Sequence, residues 1–164
     1  MKVTRDGWRP LQREELRDEL VHEAYKSKKK LAEPTRCPDC GAVYQKGRWQ
    51  WAAAPGRAVS HQCPACRRIH DHFPAGYVEL AGEYFAAHRE EILHLARNRE
   101  AKEKAEHPLE RIMKVDDVKG GALITTTGIH LARDIGEAVH AAYSGQLEYH
   151  YNKEENLLRV HWSR

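Results

Sequence analysis

The chain has 164 residues, 41% of them hydrophobic and 31% charged, enough apolar material for a modest core in one domain or two small ones. Its apolar runs are too short for a membrane-crossing helix, and the opening "MKVTRDGWRP" lacks the apolar stretch of a secretory leader, so a cytoplasmic protein without a membrane partner is expected. Net charge is only +3, but residues 1–73 hold fifteen Lys and Arg against nine Asp and Glu, which points to a polyanionic partner for the N-terminal half.

In chain order, residues 10–30, "PLQREELRDELVHEAYKSKKK", predict an amphipathic helix. Leu16, Leu20, Val21 and Tyr25 recur at helical spacing, and Pro10 suits a first turn. The basic end, with Lys28, Lys29 and Lys30, either complements the helix dipole or meets phosphate. Residues 42–62 then read as strands, "AVYQKGRWQW" and "RAVSHQ", joined by the turn "APG". Alternation puts Arg48 and Gln50 on one face and Trp49 and Trp51 on the other.

Residues 75–106 predict one long helix, with a stripe through Val78, Ala81, Tyr84, Phe85, His88, Ile92, Leu95 and Ala96. His107-Pro108 closes it, because the residue before proline is pushed out of the α region. From 108 the texture changes to strand, turn, strand, then a helix through "GIHLARDIGEAVHAAYSG", then a hairpin. In that helix Thr127 is a natural N-cap and Gly145 a natural residue to follow the C-cap. The expected fold class is α+β. A basic amphipathic helix (1–36) leads into a zinc ribbon (37–73), a long connecting helix (74–107) and a ββαββ domain (108–164), with the helices bracing the ribbon.

All four cysteines lie in "CPDC" and "CPAC". Cys37, Cys40, Cys63 and Cys66 therefore fit C-x2-C…C-x2-C with 22 residues between the pairs, close to the usual zinc spacing. Four thiolates close a tetrahedral site and leave no position for water, which makes such a site structural. In a cytoplasmic chain, paired cysteines bind metal more often than they form disulfides. A thioredoxin-like pair needs a βαβ unit that the pattern lacks, and an iron–sulfur cluster or a single iron is a minority outcome for four cysteines. "HDH" at 70–72 is a weak pointer to a second metal.

Cations interleave with aromatics along the ribbon: Tyr44, Lys46, Arg48, Trp49, Trp51 and Arg57, then Arg67 and Arg68. Phosphates take the charge and unstacked bases take the ring faces, so RNA is the expected partner. Trp49 and Trp51 read more readily as core for a small ribbon than as stacking residues. Near the start of the last helix, His130 and Arg133 are placed to touch phosphate. No phosphate loop, nucleophile elbow or zinc-protease motif occurs, and zinc consumes every cysteine, so no enzyme is expected. A protein–protein adaptor using the ribbon or the long helix is the second expectation.

The strings "CPDCG…RW", "CPAC" and "GYVEL", with "HPLERIM", "TTTGIHLARDIGEA" and "RVHWSR" further on, resemble small bacterial relatives of the large-subunit ribosomal export adaptor family (nonsense-mediated decay protein three). The likeness covers most of residues 36–164. It implies zinc on Cys37, Cys40, Cys63 and Cys66 and a ribosome- or RNA-associated role. The extra zinc knuckles and transport signals of the eukaryotic adaptors have no counterpart in this chain, so nuclear export is not implied.

Overall fold

The computed structural model describes residues 9–10, 25, 27 and 29–164. Most of the helix predicted over 10–30 lies outside these residues, as does Lys28. Within them the class is mixed α+β, with four helices and two mixed sheets.

The first sheet is the ribbon. It contains β2 (Thr35–Arg36), β3 (Val43–Gln45), β4 (Arg48–Gln50) and β5 (Val59–Ser60), in the order β4-β3-β2-β5. β3 and β4 form a hairpin around Lys46 and Gly47, whose φ angles of 54° and 76° are those of a two-residue turn of the left-handed kind. The stretch "AVYQKGRWQW", expected as one strand before a turn at "APG", is thus two strands with the turn at Lys-Gly. The ribbon also holds a short helix that the strand reading missed, α1 (Pro64–His70).

The second sheet has six strands in the order β1-β9-β10-β6-β8-β7. These are β1 (Arg9–Pro10), β6 (Gly76–Ala81), β7 (Ile112–Val118), β8 (Gly121–Thr126), β9 (Gln146–Asn152) and β10 (Leu157–Ser163). Two expectations are corrected here. Pro10 does not open a helix: it pairs with His150 in the edge strand β1, a position where a missing N–H costs no ladder bond. Nor is 75–106 one helix. Its first part is β6, which pairs parallel with β10 and antiparallel with β8.

The reason lies in the spacing. Gly76, Val78 and Leu80 are buried while Glu79 is exposed, an alternation of period two that only a strand satisfies. Gly82 ends the strand at φ +102°, where an added Cβ would overlap the Arg164 carbonyl. Helix resumes as α2 (Glu83–Ala87) and α3 (Arg89–Glu106), and Phe85, Ile92, Leu93 and Ala96 are buried. Residues 112–163 hold β7, β8, α4, β9 and β10, with α4 spanning Ile129–Tyr143. Those strands are not a self-sufficient sheet, because β6 lies between β8 and β10.

α4 packs along β10, β6, β8 and β9, and α3 packs on α4. Val78, Leu80, Ile124, Leu131, Ile135, Val139, Leu158, Val160 and Trp162 form the core between them. Each such aliphatic side chain contributes roughly 1.5–3 kcal/mol by leaving water. The second half of α3, which has no apolar stripe, is held by polar contacts instead. Arg99 makes a two-pronged bond to Asp134 at 2.6 and 2.8 Å, and Glu100 accepts from the Ile112 amide at 2.8 Å. No helix among the described residues is long and apolar enough to cross a membrane.

Candidate metal centre

The ribbon brings the four cysteines together. Where β2 ends, Cys37 donates its amide to the Ala42 carbonyl at 2.8 Å, and the Gly41 amide returns to the Cys37 carbonyl at 3.0 Å. Gly41 closes this knuckle at φ +80°, a left-handed backbone angle that suits glycine. The Ala42 amide then points at Cys40 Sγ, 3.5 Å away. The second knuckle opens α1. Cys63 is its N-cap and accepts from the Cys66 amide at 3.4 Å, with Pro64 in the first turn. The Cys63 amide crosses to Cys37 Sγ at 3.3 Å and ties the two knuckles together.

All four sulfurs lie within 4.8 Å of one another. Cys40 Sγ and Cys63 Sγ are 3.8 Å apart. A tetrahedron with Zn–S bonds of about 2.3 Å has edges of about 3.8 Å, whereas a disulfide brings its sulfurs to about 2.05 Å. The cysteines are free thiols spaced as ligands and not as bridges. Cys37, Cys63 and Cys66 are buried and Cys40 half-buried, so a bound ion is walled from solvent. The donor set fits a metal ion, and zinc is compatible with it.

Electrostatics agree. Burial opposes ionisation of Cys37, but amide hydrogen bonds from Cys63, Cys40 and Asp39 and the neighbouring Cys40 side chain outweigh it and bring its thiol down to about 7. Burial drives the Cys63 thiol far up, with crowding by the sulfurs of Cys40, Cys66 and Cys37 in the same direction. Burial also raises Cys66, although the Arg111 guanidinium pulls against it. Four sulfurs this close resist becoming four anions unless a cation sits among them.

The wall of the site comes from the connection between α3 and β7. Leu109 packs against the cysteine cluster. Arg111, only 7% exposed, points its guanidinium at three of the sulfurs. Neither residue carries a local signal for the metal centre, since Arg111 lies 45 positions from Cys66 in "LERIM". Contact with the cluster from so far along the chain is visible only in three dimensions.

The predicted nucleic-acid residues divide. Lys29, Lys30, Lys46, Arg48, Arg57 and Arg67 are exposed. Lys46 sits at the hairpin turn, Arg48 at the start of β4, Arg57 in the following loop and Arg67 on α1. Arg68 is a correction, because it is 1% exposed and unavailable to a partner. It donates to the Phe73 carbonyl at 3.1 Å, and its guanidinium lies over the rings of Tyr25 and Phe73, 4.5 and 5.7 Å from their centroids. The side chain serves as the ribbon's own cationic core.

His130 is exposed and Arg133 half-buried on α4. The N-terminus of α4 already holds an anion of the chain itself, for the Glu110 carboxylate accepts from the Leu131 amide at 3.1 Å. Thr127 is not its N-cap. Gly128 takes that position, and the Thr127 hydroxyl turns to the Leu109 carbonyl. Of the two ribbon tryptophans, Trp49 packs on the cysteine cluster and edge-on against Tyr44, 5.6 Å between centroids. Trp51 is 40% exposed and donates its indole N–H to the Lys104 carbonyl at 2.7 Å. Among the described residues the only grouping able to hold an ion is the four cysteines, and "HDH" does not form one. No protein-family model, no curated protein and no solved structure matches the chain.

Proposed function

We propose that this chain is a zinc-binding, non-catalytic RNA-binding protein of the cytoplasm, associated with ribosomal RNA or the large ribosomal subunit. The observation that carries the reading is the placement of Lys46, Arg48, Arg57 and Arg67 at the surface of a ribbon shaped by four converging cysteines, with Lys29 and Lys30 leading into it. Side chains of this kind track a phosphate backbone, and the partly open ring of Trp51 offers a stacking face at roughly 1–3 kcal/mol per base. A site closed by four sulfurs has no open coordination position for a substrate, which fits a structural role for the metal. Zinc is the ion of choice for such a donor set, and the family resemblance points to the ribosome.

The test is co-sedimentation of the zinc-loaded full chain with ribosomes over a salt series. Binding that weakens log-linearly with salt, by about 0.7–0.9 in slope for each phosphate contact, is expected. Protein that stays in the supernatant at low salt sinks the ribosome reading.

A second reading, a protein–protein adaptor, is favoured by one observation. Of the five exposed large hydrophobic residues among those described, Trp51, Val59, Ile69 and Phe73 belong to the ribbon. An apolar interface built on them is insensitive to salt, so the same series separates the two readings.

A further inference from the structure

The strongest unexplained feature of the molecule is a buried guanidinium with sulfur for company. Arg111 Nη1 donates to Cys66 Sγ at 3.2 Å, and Nη2 donates to Cys40 Sγ at 3.1 Å and Cys63 Sγ at 3.6 Å. The fork thus covers the face of the sulfur tetrahedron defined by these three residues. Among the described residues Arg111 pairs with no carboxylate, and its guanidinium meets the sulfurs of Cys40, Cys63 and Cys66 instead. A fixed charge this deep is costly unless it is paired.

The rest of the residue is anchored to the six-stranded sheet. Its Nε donates to the Pro108 carbonyl at 2.8 Å, and its backbone exchanges two bonds with Thr127, at 2.9 Å each. On either side, Glu110 caps α4, and the Ile112 amide is bound by Glu100 of α3. One side chain therefore joins the metal-ligand sulfurs of the ribbon to the point where α3, β8 and α4 meet.

We propose that Arg111 is the positioning residue of the four-cysteine centre, and that it makes metal loading and docking of the ribbon on the six-stranded sheet a single coupled event. This rests on the metal reading of the cysteines. Four thiolates around a divalent ion carry two surplus negative charges, and the guanidinium removes one of them. Its N–H donors draw density from the sulfurs and fix their directions, as hydrogen-bonding partners of metal ligands generally do. Lysine cannot substitute, because a point charge on a flexible stem lacks the planar fork that spans three sulfurs. Without an ion nothing holds the sulfurs of Cys40, Cys63 and Cys66 around one centre, so the three-sulfur face that the fork spans loses its fixed geometry and the ribbon its hold on residues 108–131.

The experiment measures zinc affinity of the full chain by competition with a chromophoric chelator, for wild type, Arg111→Met and Arg111→Lys. Amide hydrogen exchange of zinc-loaded and chelator-stripped wild type accompanies it. Wild type is expected to bind zinc, Arg111→Met to bind about 10- to 100-fold more weakly, and Arg111→Lys to fall between. In cobalt-loaded protein the sulfur-to-metal charge-transfer band is expected at longer wavelength in Arg111→Met than in wild type, because its sulfurs have lost hydrogen-bond donors. A residue that only fills space leaves that band in place. Stripping the metal from wild type is expected to speed exchange at the amides of Arg111, Thr127 and Leu131 as well as in the ribbon. Two results overturn the proposal while leaving the metal reading intact: Arg111→Met with wild-type affinity, or stripping that loosens the ribbon alone. Wild type that binds no metal overturns both. The wild-type exchange measurement decides the matter even if Arg111→Met does not fold.

Discussion

Arg67 and Arg68 are neighbours in sequence and opposites in role. α1 turns Arg67 to solvent and Arg68 inward, beneath Tyr25 and Phe73. Arg68→Met is expected to destabilise the protein by about 2–3 kcal/mol, since it removes the guanidinium from the rings of Tyr25 and Phe73 and the donor from the Phe73 carbonyl. Arg67→Ala is expected within about 0.5 kcal/mol of wild type, while flattening the salt slope of the proposed ribosome binding by about one phosphate contact. Urea unfolding of both variants checks the first pair of values. Equal stability losses would mean that the two arginines share one environment. From sequence they were indistinguishable, because both sit in "CPACRRIHDHF", which reads as ribbon and not as helix.

At the scale of elements, "AGYVELAGEYFAAHREEILHLA" supports both a helical stripe and a strand followed by a helix, since Val78 pairs with Ala81 at helical spacing and with Leu80 at strand spacing. The decision belongs to β8 and β10, which each offer β6 a full row of partners. Gly82 then breaks the chain where only a residue without a Cβ fits. α4 was legible in advance because its apolar residues repeat over four turns, and its termination by Ser144 at φ 57° and Gly145 at φ 87° follows the glycine signal. Its cap was not legible, since Glu110 lies eighteen residues before Gly128. Gly136 sets how closely α4 approaches β10: a Cβ there would come within 2.5 Å of Val160 Cγ1. Gly136→Val is expected to cost about 1–3 kcal/mol by overpacking, read as a lowered thermal midpoint. A gain in stability would mean that helix propensity outweighs this contact.

For the whole molecule the governing quantity is the ion's charge against the protons of the cysteines. Burial raises the Cys63 and Cys66 thiols, so near neutral pH a metal-free ribbon carries protons that an ion must displace. Metal affinity is therefore expected to rise with pH and zinc to be released on acidification. A zinc-indicator titration of the full chain measures this. Loading that stays flat between about pH 5 and 8 would place the ion on ligands other than thiolates. Chelation at neutral pH is expected to lower the unfolding temperature of the ribbon more than that of the six-stranded sheet, whose core of Val78, Ile124, Ile135 and Trp162 needs no ion.

The sequence alone determined the α+β class and the gathering of the four cysteines, because each is written in local spacing: two residues between thiols, period two in strands, 3.6 in helices. Tertiary structure decided what local spacing leaves open. It made residues 76–81 the strand between β8 and β10, took Arg68 out of the surface and brought Arg111 from the connection between α3 and β7 to the sulfurs. These outcomes depend on burial and charge pairing between segments tens of residues apart, and such partners leave no mark on their neighbours in the chain.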